Sequence, residues 1–166
     1  MFQKKLKKPR LIQAAMDRLQ PDITGHGIRN ADIVIEAIFE NLEVKQNVFR
    51  SIEPQLKSGA LLATNTSSIP LDEISTVLQH PENLVGIHYF NPVALMPLVE
   101  VVHSNTTSQE AVHHALSLVG KLGKLPLPVK SSPGFLVNRV LMPYLMEAME
   151  LLKEGVSPTA VDKAAL

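Results

Sequence analysis

The feature that most constrains the fold is an alternation of short apolar runs with longer amphipathic segments. Apolar runs over 32–38, 61–64 and 84–88 are rich in aliphatic and β-branched residues, which is typical of buried strands. The segments 40–55 and 69–79 between them show helical spacing of their apolar residues. Strands that alternate with helices predict a doubly wound α/β sheet of parallel strands with helices on both faces.

Individual segments allow more detailed expectations. The first strand is rich in apolar and β-branched residues and is expected to be buried on both faces, and the acid-rich start of the following helix (Glu40, Glu43) suits the positive end of a helix dipole. Helical spacing predicts further helices over 4–19 and 108–121, and two prolines place a short strand at 125–129 at a sheet edge. The longest helical pattern, 135–153, is apolar nearly all round, which predicts burial on most sides.

Composition excludes several classes of protein. The 166 residues are 45% apolar, enough for one ordinary domain with a sizeable core, and 16 basic residues balance 16 acidic ones, so no affinity for nucleic acid is implied. Cysteine is absent, which excludes disulfides and fits a cytoplasmic protein. No apolar run reaches membrane-spanning length, none follows the basic start as in a signal peptide, and the histidines form no metal-ligand pattern.

Both ends predict that the chain is a piece of a longer protein. It opens on a polar helical pattern and stops inside another one, without a helix-terminating residue. A basic cluster near the start suits either a solvated helix face or a contact with phosphate, such as that of a thioester carrier; it comprises Lys4, Lys5, Lys7 and Lys8. The segment Gly25–Asn30 nearly matches a dinucleotide-binding fingerprint, but it precedes a strand instead of following one.

A histidine and an acid stand out in the stretch 84–102. His88 ends one apolar run, and Glu100 lies inside a second, valine-rich one. An unpaired carboxylate is costly to bury, and a histidine at the end of a neighbouring strand is a natural partner for it. Such a pair has the chemistry of a general base and its orienting group. A structural histidine and a solvent-facing glutamate are the alternative interpretation.

Polar residues at the ends of other predicted elements extend this candidate site. Asn65–Ser68 follow a strand, and ligands of doubly wound sheets bind at the carboxyl ends of strands. Structural explanations exist for each residue: Ser67 suits a helix cap, Asn65 a turn, and Asn138 a helix terminus.

Four segments, in this order, carry a resemblance to a known family: EAIFENLEVKQ (36–46), ATNTSSIPL (63–71), GIHYFNPVALMPLVEVV (86–102) and SPGFLVNRVLMPYLMEA (132–148). With these residues the sequence resembles the L-3-hydroxyacyl-CoA dehydrogenases. The resemblance is greatest to the dehydrogenase part of the bacterial fatty acid oxidation complex alpha subunit, and it covers nearly the whole chain from about residue 32 onward.

The resemblance implies a fold and a cofactor. It implies an incomplete Rossmann-type sheet domain over 1–132, followed by the first helices of an all-α C-terminal domain over 133–166. The family binds NAD, through a glycine-rich loop after the first strand of that domain. The 166 residues contain neither that loop nor the first βα unit, so we expect this chain by itself to be inactive.

The resemblance also implies roles for individual residues. His88 matches the general base that takes the proton of the 3-hydroxyl group, and Glu100 matches the residue that orients it. Ser67 and Asn138 match hydrogen-bond donors to the substrate oxygen. Positions that line the cofactor site in the family are matched by Ala37, Ile38, Glu40, Lys45, Asn65, Ser67 and Asn91.

The implied function is oxidation of L-3-hydroxyacyl-CoA to 3-ketoacyl-CoA with NAD in fatty acid β-oxidation. The substrate is then an acyl-CoA thioester, and a thiolase subunit is a candidate partner. One alternative is a stand-alone 3-hydroxybutyryl-CoA dehydrogenase, and another is a non-catalytic relative that keeps the fold for binding or structure. Unpaired strand edges and apolar helix faces further predict self-association, for which exchange of the helix over 135–153 is one route.

Overall fold

The part of the chain that the structure describes forms one five-stranded sheet with helices on both faces, preceded by one helix and followed by two more. A computed structural model describes residues 8–165, so Lys4, Lys5 and Lys7 of the basic cluster lie outside the described residues. The strands follow one another in the sheet in the same order as in the chain: β1 Ile33–Glu36, β2 Leu61–Thr64, β3 Leu84–Tyr89, β4 Leu98–His103 and β5 Leu125–Lys130.

The helices occupy the segments between and after the strands. They are α1 Pro9–Met16, α2 Leu42–Ile52, α3 Leu71–Ile74, α4 Gln109–Lys121, α5 Val137–Lys153 and α6 Pro158–Ala164. Asn41, Ser108 and Ser157 cap α2, α4 and α6 by accepting a hydrogen bond from a backbone amide of the first turn. Among the described residues, no helix is long and apolar enough to cross a membrane.

The predicted doubly wound sheet is confirmed, with one antiparallel pair of strands. β1, β2 and β3 run parallel, and β4 and β5 run parallel to each other, but β3 and β4 are antiparallel. Only residues 90–97 connect β3 to β4, and this segment is too short for the helical crossover that a parallel pair requires. β5 lies at the edge of the sheet, as its prolines predict.

Two apolar clusters form the core, one on each face of the sheet. On one face, α2, α3 and Phe135 pack against the strands in a cluster that includes Phe49, Leu62, Leu71, Leu84 and Val102. Residues of α4 cover the other face, where the strands contribute Ala63, Val85, Ile87, Val99 and Val101. Because side chains alternate along a strand, neighbouring residues of β3 and β4 belong to different faces.

Two burial predictions are wrong. β1 is an edge strand among the described residues, so Ile35 is 41% exposed instead of buried on both faces. No residue of α5 is buried, and Val140, Met146 and Met149 are more than half exposed. Only the first turn of α5 makes hydrogen bonds to the sheet, and its apolar composition therefore leaves an exposed apolar helix in this chain.

Candidate active site

His88 and Glu100 face each other across the antiparallel pair of strands. They are directly opposite in the register of β3 and β4, and His88 Nδ1 lies 2.7 Å from Glu100 Oε2. Both side chains are buried, with 7% and 0% of their surfaces exposed. We call this pair the dyad. Because the carboxylate engages Nδ1, the imidazole Nε2 remains as the atom that can exchange a proton with a ligand.

The second oxygen of Glu100 binds the start of α5. Glu100 Oε1 accepts hydrogen bonds from the backbone amides of Leu136 at 3.0 Å and Val137 at 2.9 Å. Gly134 and Phe135 precede these amides with φ angles of +73° and +51°. A left-handed conformation is rare for a phenylalanine, and here it turns the chain so that both amides point at the buried carboxylate.

Two aromatic rings enclose the imidazole of His88. The Phe90 ring centroid lies 4.6 Å from that of His88, and the Phe135 ring meets it edge-on at 5.6 Å. Gly86, two residues before His88 on the same face of β3, allows β3 and β4 to approach, because a Cβ atom there would lie 2.7 Å from Val102 Cβ. These contacts fix the position of the imidazole from several sides.

Glu40 organises the loop that follows β2. Its Oε1 accepts from Thr66 Oγ1 at 2.6 Å, from the Ser67 and Ser68 amides at 2.8 and 3.1 Å, and from the Ser67 and Ser68 hydroxyls at 3.3 and 3.1 Å. Partial burial acts to raise the pKa of Glu40. The hydrogen bonds from Thr66 and Ser67, and the charge of Lys45, outweigh it and lower this pKa to about 2.

A buried lysine connects this loop to the sheet. Lys45 Nζ lies 2.8 Å from Glu36 Oε1 and 3.3 Å from Glu40 Oε2. Glu36 Oε2 in turn accepts from the hydroxyl of Thr64, its neighbour on β2, at 2.6 Å. We call Glu36, Thr64, Lys45 and Glu40 the lysine array.

The asparagines tie the ends of elements together. Asn65 Oδ1 accepts from the Tyr89 amide at 3.1 Å and so joins the end of β2 to the end of β3. Asn138 Nδ2, in the first turn of α5, donates to the Ser67 carbonyl at 3.3 Å. Asn138 and Ser67 are therefore adjacent, and one Asn138 N–H remains available to a ligand.

The other predicted site residues lie at the ends of strands. Ala37 and Ile38 directly follow β1 and are exposed, and Asn91 is exposed in the loop after β3. The expectation that Glu40 occupies the first turn of a helix is wrong, since α2 begins at Leu42 and Glu40 binds the loop over Thr66–Ser68. Ser67 does not cap α3, because the N-cap residue is Pro70 and the Leu71 amide donates to Ser131 Oγ at 2.8 Å.

Sequence reasoning missed several residues that build this site. Glu36, Thr64 and Thr66 complete the polar network beneath the loop, and Phe90 and Phe135 contact the imidazole. Glu36 carried a usable signal, because it is an acid within a predicted buried strand, as Glu100 is. The positions of Thr66 and Phe135 had no comparable signal.

Comparisons with known proteins give consistent matches over nearly the whole chain. The sequence model of the NAD-binding domain of 3-hydroxyacyl-CoA dehydrogenase matches residues 1–132, and that of the C-terminal domain of 3-hydroxyacyl-CoA dehydrogenase matches residues 134–166. The fatty acid oxidation complex subunit alpha of Psychrobacter sp. (strain PRwf-1) is 43% identical over 98% of this chain and 23% of its own length. That of Aliivibrio fischeri is 43% identical over 97% of this chain and 24% of its own length. The chain thus spans about a quarter of the length of these relatives.

Solved structures share the fold. The 3-hydroxybutyryl-CoA dehydrogenase from Escherichia coli superposes with a TM-score of 0.88 at 39% identity, over 93% of this chain and 33% of that one. The (S)-3-hydroxybutyryl-CoA dehydrogenase from Ralstonia eutropha superposes with a TM-score of 0.89 at 35% identity, over 96% of this chain and 57% of that one. Both confirm the Rossmann-like class of the sheet.

Proposed function

This chain belongs to the 3-hydroxyacyl-CoA dehydrogenase family, and we propose that it carries the catalytic dyad of an enzyme that oxidises L-3-hydroxyacyl-CoA to 3-ketoacyl-CoA with NAD in fatty acid β-oxidation. The observation that carries the proposal is the 2.7 Å contact between His88 Nδ1 and Glu100 Oε2, in a buried setting at the carboxyl end of β3. A histidine with one nitrogen held by a carboxylate is suited to proton transfer at neutral pH.

In the proposed mechanism His88 acts as the general base. Its Nε2 takes the proton of the substrate 3-hydroxyl group as the O–H bond breaks and the C3–O double bond forms. A bound NAD would supply the acceptor for the hydride of C3. Glu100 keeps the imidazole in the tautomer with a proton on Nδ1 and stabilises the imidazolium that results, while the Leu136 and Val137 amides hold the carboxylate in place.

Ser67 and Asn138 are proposed to bind the substrate oxygen. The Ser67 hydroxyl makes only a long contact of 3.3 Å with Glu40, so it can turn toward a ligand at little cost. Asn138 has a second N–H beyond the one that binds the Ser67 carbonyl. Donors held by the fold and aimed at an oxygen that gains charge often contribute several kcal/mol to catalysis.

The residues at the carboxyl ends of β1, β2 and β3 fit part of a dinucleotide site. Parallel strands of this fold bind their ligands at that edge, and it offers both hydrogen-bond donors and acceptors. We propose that the cofactor is lined there by Ala37, Ile38, Glu40, Lys45, Asn65, Ser67 and Asn91. The glycine-rich segment that cradles the pyrophosphate in this fold is not among the 166 residues.

The proposal extends to domains and partners. We propose a sheet domain over 1–132 and the first part of a helical domain over 133–166, a division that the two matched sequence models support. The names of the relatives support membership of a fatty acid oxidation complex, and a thiolase subunit is the partner we propose. The exposed apolar side chains of α5 favour self-association of this chain, which a monodisperse monomer in light scattering would contradict.

The test of the proposed activity is NADH-dependent reduction of acetoacetyl-CoA. It compares this chain with a longer version extended at both ends to the length of the relatives. We expect activity only in the longer version, because the resemblance to the family implies a glycine-rich loop and a complete helical domain there. A folded but inactive longer version would favour a non-catalytic role.

A stand-alone 3-hydroxybutyryl-CoA dehydrogenase is the second candidate. The two solved structures described above, at 39% and 35% identity, bear that activity in their names. The coding sequence upstream distinguishes the candidates, since a hydratase/isomerase domain there indicates the multifunctional complex. Relative turnover of short and long 3-hydroxyacyl-CoA substrates provides an independent measurement.

A further inference from the structure

A second buried ion pair, between Lys45 and Glu36, lies at the same edge of the sheet as the dyad. Both side chains are 1% exposed, and their charged atoms are 2.8 Å apart. Removing two charges from water costs several kcal/mol per ion, and an apolar pair of the same size would attach α2 to β1 equally well. The need to attach α2 to the sheet therefore does not explain why an ion pair occupies this position.

Glu36 is the fixed member of the lysine array. Its Oε1 accepts from Lys45 Nζ at 2.8 Å and from the Ile38 amide at 2.6 Å, and its Oε2 accepts from Thr64 Oγ1 at 2.6 Å. Three short hydrogen bonds hold the buried Glu36 carboxylate in a single orientation.

The remaining contacts of the ammonium group are longer. Lys45 Nζ lies 3.3 Å from Glu40 Oε2 and 3.5 Å from the Ile38 carbonyl, and the Glu40 side chain is 37% exposed. A ligand oxygen at the edge of the sheet can therefore replace one of these contacts while the bond to Glu36 stays intact. Glu40 in turn binds the Thr66–Ser68 loop. A movement of Lys45 that displaces Glu40 therefore also displaces the Ser67 hydroxyl.

We propose that Glu36 is a positioning residue for dinucleotide binding. Together with Thr64 it holds the Lys45 ammonium group at the edge of the sheet, and through Lys45 it keeps Glu40 on the Thr66–Ser68 loop. This inference rests on the proposed function, since the ligand is the cofactor proposed above. Without the charge of Glu36, Lys45 is attracted to Glu40 alone and draws that carboxylate away from the loop amides.

The test measures NADH binding by fluorescence titration of the complete dehydrogenase that contains this chain. Glu36→Gln is expected to raise the Kd for NADH on the order of tenfold, as loss of an orienting partner commonly does. The matched control is Glu43→Gln, which makes the same charge change at an exposed position of α2 and is expected to leave the Kd within about twofold.

Thr64 provides a second, smaller change. Thr64→Ser keeps the hydroxyl that binds Glu36 and is expected to bind NADH as the unaltered protein does. Thr64→Val removes the hydroxyl and is expected to raise the Kd about threefold, since one hydrogen bond to a charged group is lost in part. The melting temperature without cofactor is measured for each variant, because a purely structural defect lowers it without changing the Kd of the folded protein.

The outcomes separate this inference from the proposed function. An unaltered Kd in Glu36→Gln, or an equal change in Glu43→Gln, overturns the role of Glu36 even if the unaltered protein is an active dehydrogenase. If Glu36→Gln does not fold, equal NADH affinities of Thr64→Val and Thr64→Ser overturn it instead. If the unaltered protein does not bind NADH, the proposed function fails and the inference fails with it.

Discussion

The two faces of the sheet differ although the same strands build them. On the face covered by α2, the strand ends carry buried polar groups: Glu36, Thr64, His88 and Glu100. On the face covered by α4, the adjacent positions are apolar: Ala63, Ile87, Val99 and Val101. Alternation along a strand thus allows β3 to contribute Ile87 to the core and His88 to the candidate site. Two neighbouring residues of one strand therefore serve different purposes, one in the core and one in the candidate site.

Both faces are held by apolar packing, and the polar strand ends on the face covered by α2 are held by hydrogen bonds in addition. Among residues 8–165, every buried side-chain nitrogen or oxygen has a hydrogen-bond partner. A buried polar group without a partner costs about 1–3 kcal/mol, so each member of the dyad and of the lysine array depends on the others. Changes at these polar positions are expected to alter function, whereas changes at the apolar positions covered by α4 are expected to alter stability.

The largest effect is expected from His88→Ala in the complete dehydrogenase. Loss of the general base should lower turnover of acetoacetyl-CoA about a thousandfold, while the Kd for NADH stays within about twofold. His113→Ala, at an exposed position of α4, is the control and should retain full turnover. Unchanged turnover in His88→Ala would refute the role proposed for His88.

The next effect is expected on the opposite face. Ile87→Ala removes a fully buried side chain of β3 and should lower the free energy of unfolding by about 3 kcal/mol in urea titrations. Turnover per folded molecule should stay within about threefold, because the Ile87 side chain lies on the opposite face of the sheet from the dyad. Leu125→Ala, at a position 62% exposed, should change stability by less than about 0.5 kcal/mol. A large loss of turnover in Ile87→Ala would contradict the separation of the faces.

Gly86→Ala changes a residue that lies on the same face of β3 as His88, directly opposite Val102 of β4. The new Cβ atom would lie 2.7 Å from Val102 Cβ, so β3 and β4 must move apart. We expect a loss of about 2 kcal/mol of unfolding free energy and a loss of turnover in addition, because the dyad spans the same two strands. Stability loss with normal turnover per folded molecule would show that the dyad tolerates this movement.

The smallest effect is a pH dependence that Glu40 confers. Its pKa is lowered from 4.5 to about 2 in the folded chain, so its stabilising contribution is complete above pH 4.5 and is lost as the pH falls toward 2. Allowing for solvent screening at this partly exposed site, the contribution is about 1 kcal/mol. The difference in unfolding free energy between the unaltered chain and Glu40→Gln should therefore shrink over this range. A constant difference would contradict the hydrogen bonds assigned to Glu40.

Local patterns predicted the strands and helices well where burial is strong. The bounds of β2 were predicted as observed, since four apolar or β-branched residues lie between turn residues. The pairing of His88 with Glu100 was predictable because a short connection folds two adjacent strands back on each other. By contrast, the apolar pattern of α5 predicted burial that this chain does not provide, since a pattern shows which surface requires a partner and not whether the partner is present.

The sequence by itself determined the order of elements, the doubly wound class and the family, because these depend on periodicity and on ordered motifs. Only the tertiary structure revealed that Lys45 is buried, that Glu40 binds the loop after β2, and that the amides of Leu136 and Val137 bind Glu100. These contacts join residues between 9 and 37 positions apart in the chain. Hydrogen-bond partners at such separations depend on how helices pack on the sheet, which local propensity does not specify.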